Sequence, residues 1–216
     1  MKFLFSSLGK KIQIAFSGVS LCIFLLMHLF NNLVLFTGED NFNSMVHFLE
    51  SIKPLIRIME FGLLIILLLH IGNALQLTWY NRKASLEKSS LNKNDTSTLN
   101  SRTMAISGTV ILLFFIIHLR YIWFTYQTTD SHDYYQILLQ NKIGFLGHTP
   151  TAVFYIIAIL LIGSHLKHGF QSALKTFGIL SNSRLGILYN LSILFWAIIP
   201  GLFILIILSI QIGWIN

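Results

Sequence analysis

Five apolar stretches, at roughly 12–36, 55–80, 103–127, 150–175 and 187–213, constrain the fold of this chain more than any other feature of its sequence. Each is as long as the run of roughly 20 apolar residues that a helix needs to cross about 30 Å of hydrocarbon. In that medium only helices and closed barrels satisfy their own backbone hydrogen bonds, and continuous runs of this length predict helices. Charged residues are 11% of the 216 and apolar ones 54%, whereas a soluble domain carries about a quarter charged. The expected fold is an all-α membrane protein, one domain over 1–216 with five transmembrane helices. The first run follows Lys10–Lys11 as a signal peptide would. It is too long for an h-region and lacks a small-residue cleavage site, so it is read as a mature helix.

The net charge of +7 is explained by its distribution. Lys2, Lys10 and Lys11 precede the first helix, Arg82, Lys83, Lys88, Lys93 and Arg102 separate the second from the third, and Lys167, Lys175 and Arg184 surround the end of the fourth. The alternate loops carry Glu39, Asp40, Glu50, Asp130 and Asp133. Lys/Arg-rich loops stay in the cytoplasm, which predicts an N-terminus inside and a C-terminus outside. The basic excess is topology, and no nucleic-acid partner is expected. Cys22 is the single cysteine, so no disulfide framework, no iron–sulfur cluster of the chain's own and no covalent haem attachment are expected.

Between the helices, 81–102 is polar and reads as an inside loop. Ser44–Ser51 and Tyr134–Leu139 read as amphipathic pieces lying along the outer interface. Pro54 and Pro150 fall near helix starts, where a missing N–H costs little.

An internal repeat sharpens the reading. Nine residues separate Ser17-Gly18 from His28-Leu29, and nine separate Ser107-Gly108 from His118-Leu119. The second and fourth helices share His70 with Ala74 and His165 with Gly169, each four residues on. The chain reads as two similar hairpins followed by a fifth helix.

Four of the eight histidines thus lie one per helix in helices one to four. An ionisable side chain at membrane depth is a functional hypothesis by default. Counted from the inner helix ends at ~1.5 Å per residue, His28 and His118 stand ~22–24 Å up and His70 and His165 roughly 15 Å up. Two imidazoles at one height on separate helices suit bis-histidine haem ligation, so two pairs predict two haems, one nearer each face. A small residue four positions from a ligand leaves space for a flat macrocycle; Ala74 and Gly169 do so for the inner haem, Asn32 and Ile122 less well for the outer. His168 competes with His165, but lies about three residues lower than His70 and has Ser172 as its fourth neighbour. His47 and His132 read as solvated, and His148 as helix-start or interface chemistry. The plain alternative for the four is interhelical hydrogen bonding. A proton relay would call for intramembrane carboxylates, of which Glu60 is the nearest.

With these residues in view, the chain resembles the cytochrome b558 subunit of succinate dehydrogenases and fumarate reductases, the single-anchor, two-haem kind, over nearly its whole length. The carriers are Ser17-Gly18…His28, His70-x-x-x-Ala74, Ser107-Gly108…His118, and His165-Leu-Lys-His-Gly169 running on to Phe177-Gly178. The resemblance implies a subunit of the bacterial inner membrane that anchors a flavoprotein with FAD and an iron–sulfur protein at the cytoplasmic face. It implies electron transfer between their clusters and a membrane quinone, menaquinone by analogy, through two b haems, with no dicarboxylate chemistry in this chain. His70 and His165 would ligate the inner haem iron and His28 and His118 the outer. Gln13, Ser17 and Lys175 are candidates for the inner haem propionates, Arg57 and Arg120 for the outer. Glu50 resembles in position an acid used in quinol oxidation. Such relatives carry an acid two residues before the fourth-helix ligand, where this chain has Gly163, so a transmembrane proton path is not carried over. A b561-like or nitrate-reductase-type cytochrome and a haemless proton-coupled membrane protein stay open as alternatives.

Overall fold

A computed structural model describes residues 6–89, 99–179 and 185–216, and among them all regular structure is helical. Helix α1 (Ser7–Leu33) tightens into a 3₁₀ turn at Val34–Thr37; α2 (Glu39–Ser51) is short, and α3 (Lys53–Ser89) returns. The third span is α4 (Leu99–His118), a π-helical turn at Leu119–Trp123 and α5 (Phe124–Thr128). After α6 (Tyr134–Leu139) come α7 (Thr149–Thr176) and a last span of α8 (Leu185–Ile193), a π turn at Leu194–Ile198 and α9 (Ile199–Gln211). Five segments, Ser7–Thr37, Lys53–Tyr80, Ile106–Thr128, Thr149–Thr176 and Leu188–Gln211, are long and apolar enough to cross a membrane. They coincide with the apolar runs to within a few residues, as a fold of a multi-pass membrane protein requires.

The helix boundaries follow local chemistry. Ser6 caps α1 by accepting from the N–H of Gly9 at 3.1 Å. Glu39 and Asp40 occupy the first turn of α2, where the helix dipole favours negative charge. Pro150 stands in the first turn of α7. Phe177-Gly178 ends that helix, Gly178 at φ 68° and Ile179 N–H returning to the Leu174 carbonyl at 3.1 Å; glycine suits this left-handed stop. One expectation is corrected. The polar segment after residue 80 is not loop throughout, since α3 continues to Ser89 and α4 begins at Leu99. Ala84, Leu86, Glu87 and Lys88 are good helix formers with no Gly or Pro among them to stop the helix. Lys2, Lys93 and Arg184 lie outside the described residues.

Helix α1 packs along α3 and α7, α4 packs along α7, and the last span leans on α7 and α1. Around the bundle the order is therefore α3, α1, α7, α4, which places α1 opposite α4 and α3 opposite α7. The core runs through α1, α7 and α9 with Leu29, Ala158, Ile159, Ile199 and Ile206 buried. No residue in the most apolar stretch of α3 is buried. Its seam with the third span is joined at one end by side chains: Arg57 binds Glu60 at 2.6 Å and also Gln127, while Trp123 Nε1 donates to Glu60 at 2.8 Å.

Two spans approach tightly at Gly163. A Cβ there would stand 2.8 Å from the Trp196 carbonyl oxygen. That carbonyl belongs to the residue four before Pro200, which has no N–H to offer it. The π turn and the proline thus push a backbone oxygen outward, and only glycine accommodates it.

The end of the bundle where α1 begins is called near, the other far. Lys10 Nζ lies over Tyr80 at 5.0 Å, which sets the start of α1 beside the end of the second span. At the far end α2 and α6 are cross-linked. Asn43 Nδ2 donates to Asp133 at 3.2 Å, its Oδ1 accepts from the Tyr135 N–H at 2.9 Å, and Gln136 donates to Glu39 at 3.0 Å. Ser44–Ser51 and Tyr134–Leu139 are thus helical, as their amphipathic pattern predicts.

Candidate functional site

The four repeat histidines meet as two opposed pairs across the bundle diagonals. The rings of His70 on α3 and His165 on α7 are 6.5 Å apart, centroid to centroid, at 66°. Those of His28 on α1 and His118 on α4 are 5.8 Å apart at 88°. A metal–imidazole bond of about 2.0 Å on each side, with the half-width of each ring, separates two imidazoles that share one ion by about 6 Å. Both separations lie close to that distance. The ring that faces His70 is that of His165, not His168.

In the near pair, the Ser-Gly half of the repeat serves the next helix. Ser17 is buried, and its hydroxyl donates to the Gln13 carbonyl at 2.7 Å. With its proton committed, Oγ accepts from His70 Nδ1 at 3.0 Å. Ser107 repeats the arrangement, donating to the Met104 carbonyl at 3.1 Å and meeting His165 Nδ1 at 3.3 Å. A hydrogen on Nδ1 leaves Nε2 as a bare lone pair, the state a metal ligand needs. Gly18 and Gly108 pass beside the same rings; a Cβ would sit 3.4 Å from His70 Cε1 and 3.8 Å from His165 Cε1. The small residue at Gly169 faces the end of Met104, 3.9 Å from where its Cβ would be.

The far pair is held by aromatic rings. Phe24 stacks on His28 at 5.6 Å and 15°, and Phe114 on His118 at 5.6 Å and 29°. Each phenylalanine precedes its histidine by four residues, one turn along the same face. Asn32 Nδ2 donates to the His28 carbonyl at 2.7 Å and lies 3.5 Å from its Nε2. His118 Nδ1 and the Tyr155 hydroxyl are both buried without a hydrogen-bond partner among the described residues, with their rings 6.0 Å apart. Two polar atoms beside an opposed imidazole pair thus keep their hydrogen-bonding capacity unused.

The two levels are further apart than counting from helix ends suggests. Ser17 and His28 are 11 residues apart, about three turns, hence on one face of α1 and ~16 Å apart along its axis. Since Ser17 touches His70, the near pair lies roughly that far below the far pair. The end-count gives about half of that.

The other singled-out residues divide by position. Gln13 Oε1 accepts from Asn73 Nδ2 at 3.0 Å, one turn nearer the end than Ser17. Lys175 is exposed in the last turn of α7. Arg57 is engaged with Glu60 and Gln127, and Arg120 lies over Phe124 at 4.9 Å. His148 Nδ1 is 2.9 Å from the Thr151 hydroxyl at the start of α7. Glu50, on α2, accepts a hydrogen bond from Tyr134. That bond leads in holding its carboxyl below the usual carboxylate range, against burial and with help from His47 and Lys53. The Tyr134 phenol is pushed up to about 12 by burial and by the same carboxylate, so it stays a donor. His47 and His132 are exposed, as expected of solvated histidines, but their rings lie 5.4 Å apart.

Fold and site together define a helical membrane bundle with two opposed imidazole pairs at separate levels. Searches of protein-family models, of curated proteins and of solved structures each return no match to this chain.

Proposed function

We propose that this chain is the membrane-anchor cytochrome b subunit of a succinate:quinone oxidoreductase, of the succinate dehydrogenase and fumarate reductase class. The observation that carries the reading is the pair of imidazole pairs on the bundle diagonals, 5.8 and 6.5 Å between centroids. Hydrogen-bonded histidines alone would sit at a shared donor–acceptor distance with rings in any orientation. Here they stand at about the spacing that two imidazoles sharing one metal ion would take, with Ser17 and Ser107 meeting the Nδ1 atoms of the near pair.

Bound between these pairs, two b haems would supply one-electron carriage across the bilayer. His70 and His165 would hold the near iron, His28 and His118 the far one. Ser17 and Ser107 orient the near imidazoles with Nε2 turned away from the serine, while Phe24 and Phe114 fix the far ring planes. Gln13 and Lys175 lie at the near end, within reach of carboxylates there, whereas the Ser17 hydroxyl is already spent on His70. Glu50, paired with Tyr134 at the far end, would take a proton from a quinol, with menaquinone as the substrate by analogy. In this reading the basic near end faces the cytoplasm of a bacterial cell and receives the flavoprotein and iron–sulfur subunits. The enzyme activity then belongs to the complex, and this chain supplies its quinone-reactive part.

The first test is a reduced-minus-oxidised absorbance spectrum with haem quantitation on the purified protein. Two haems per chain support the reading, and none, after expression with ample haem supply, ends it. Co-purification of a flavoprotein and an iron–sulfur protein then separates this class from other two-haem cytochromes.

A further inference from the structure

A second cluster of metal-ligating side chains lies at the far end, away from the four bundle histidines. His47 and Glu50 are three residues apart on α2 and so share a face, His47 Nδ1 standing 3.4 Å from Glu50 Oε2. His132 comes from the loop before α6, 82 residues after Glu50 in sequence. One ligand atom from each of the three lies within 4.8 Å of the others.

The juxtaposition is built by surrounding structure. The loop that carries His132 is fastened to α2 through both ends of the Asn43 amide, which binds Asp133 and the Tyr135 backbone. Asp133 is itself engaged in capping α6, accepting from the Gln136 N–H at 3.0 Å. Tyr134 packs its ring 5.8 Å from that of His47 and donates its hydroxyl to Glu50. A hydrogen bond to a ligating carboxylate from outside the cluster orients it, as supporting partners do in metal sites.

We propose that His47, Glu50 and His132 form a binding site for one divalent transition cation of the zinc class, open to water at the far face. Two imidazoles and one carboxylate are a nitrogen–oxygen donor set suited to zinc, whereas calcium and magnesium favour oxygen alone. Bonds of about 2.0–2.1 Å in tetrahedral array set donors about 3.4 Å apart. His47 and Glu50 already stand at that separation, and His132, exposed on its loop, has the freedom to close the remainder. Three protein ligands leave a fourth position for water. Binding does not depend on the haem reading. One consequence does: a cation on Glu50 would withdraw that carboxylate from accepting a quinol proton, so zinc would slow quinol oxidation from this face.

The test uses the full-length protein as purified, with its haem content measured separately on the same sample so that failure of either reading is told apart. Zinc chloride is titrated by equilibrium dialysis, and the bound ion is examined by X-ray absorption. The expected result is one zinc per chain with imidazole and carboxylate scattering, weakened at least about 100-fold by His47→Gln, His132→Gln or Glu50→Gln and unchanged by His148→Gln. Helix content by circular dichroism identifies any variant that fails to fold, and the exposed loop variant His132→Gln then decides. Equal zinc binding by wild type and the folded variants overturns the proposal. So does an adventitious ion only, with no fixed stoichiometry and no imidazole in its shell.

Discussion

The Ser17 hydroxyl lies 3.0 Å from His70 Nδ1 and, having given its proton to the Gln13 carbonyl, can only accept from it. One serine thus fixes which nitrogen of a histidine on the neighbouring helix carries hydrogen. Ser107 does the same for His165, and the chain solves the same problem twice with the same residue.

Removing either serine leaves the imidazole in place with its tautomer unset. If the chain binds two haems as proposed, Ser17→Ala and Ser107→Ala are each expected to weaken retention of the near one by about 10–100-fold, as loss of a ligand's supporting partner does, without changing the far one. Haem titration of the washed protein, read at the two bands separately, checks this. Equal loss at both levels would contradict the assignment.

Replacing the ligands themselves should be selective. His70→Ala or His165→Ala is expected to abolish one haem, His28→Ala or His118→Ala the other, and His168→Ala neither. The measurement is the haem-to-protein ratio of each variant. A haem lost with His168→Ala but kept with His165→Ala would move the fourth-helix ligand by one turn.

Gly163→Ala should destabilise the bundle by about 1–3 kcal/mol, the range for forcing a methyl into a packed contact. The cause is the Trp196 carbonyl oxygen, 2.8 Å from the new Cβ. Thermal unfolding in detergent reads the shift. A stable Gly163→Ala protein would mean that the last span is free to move away from α7.

Tyr134→Phe removes the leading cause of the lowered Glu50 carboxyl. With a depressed folded value, that contact stabilises the protein above the unfolded carboxyl's pKa, about 4.3, and the stabilisation is lost as pH falls through the lower folded value. The variant should therefore titrate Glu50 closer to its ordinary value and lose the corresponding acid-side stability. Infrared difference spectra of the carboxyl band, taken with a chelator present, follow the midpoint against a Glu50→Gln blank.

Much of this is legible in the sequence alone. Continuous apolar runs of this length fix the spans because a helix satisfies its own backbone within one segment, and a polar residue within such a run stands out. His28, His70, His118 and His165 are conspicuous for that reason, and their counted heights give their pairing. The role of Ser17 and Ser107 was not legible, although the repeat marks both residues. A serine on a helix has one face, but which neighbour that face meets depends on how helices pack. Phe24 and Phe114 were missed among many apolar neighbours, with only their shared four-residue lead over a histidine to mark them. His47 and His132 come together through a loop fastened by Asn43, a contact between segments 90 residues apart that no local pattern announces. Gly163 drew notice as a missing acid, while its packing reason lies in Pro200, on another span.

The interval between Ser17 and His28 works as a ruler. Each residue added or removed between them turns one side chain by about 100° against the other, so a single insertion would aim the serine or the histidine at lipid. An insertion between them would therefore break the alignment of the two levels, whereas one in a loop between spans would leave it intact.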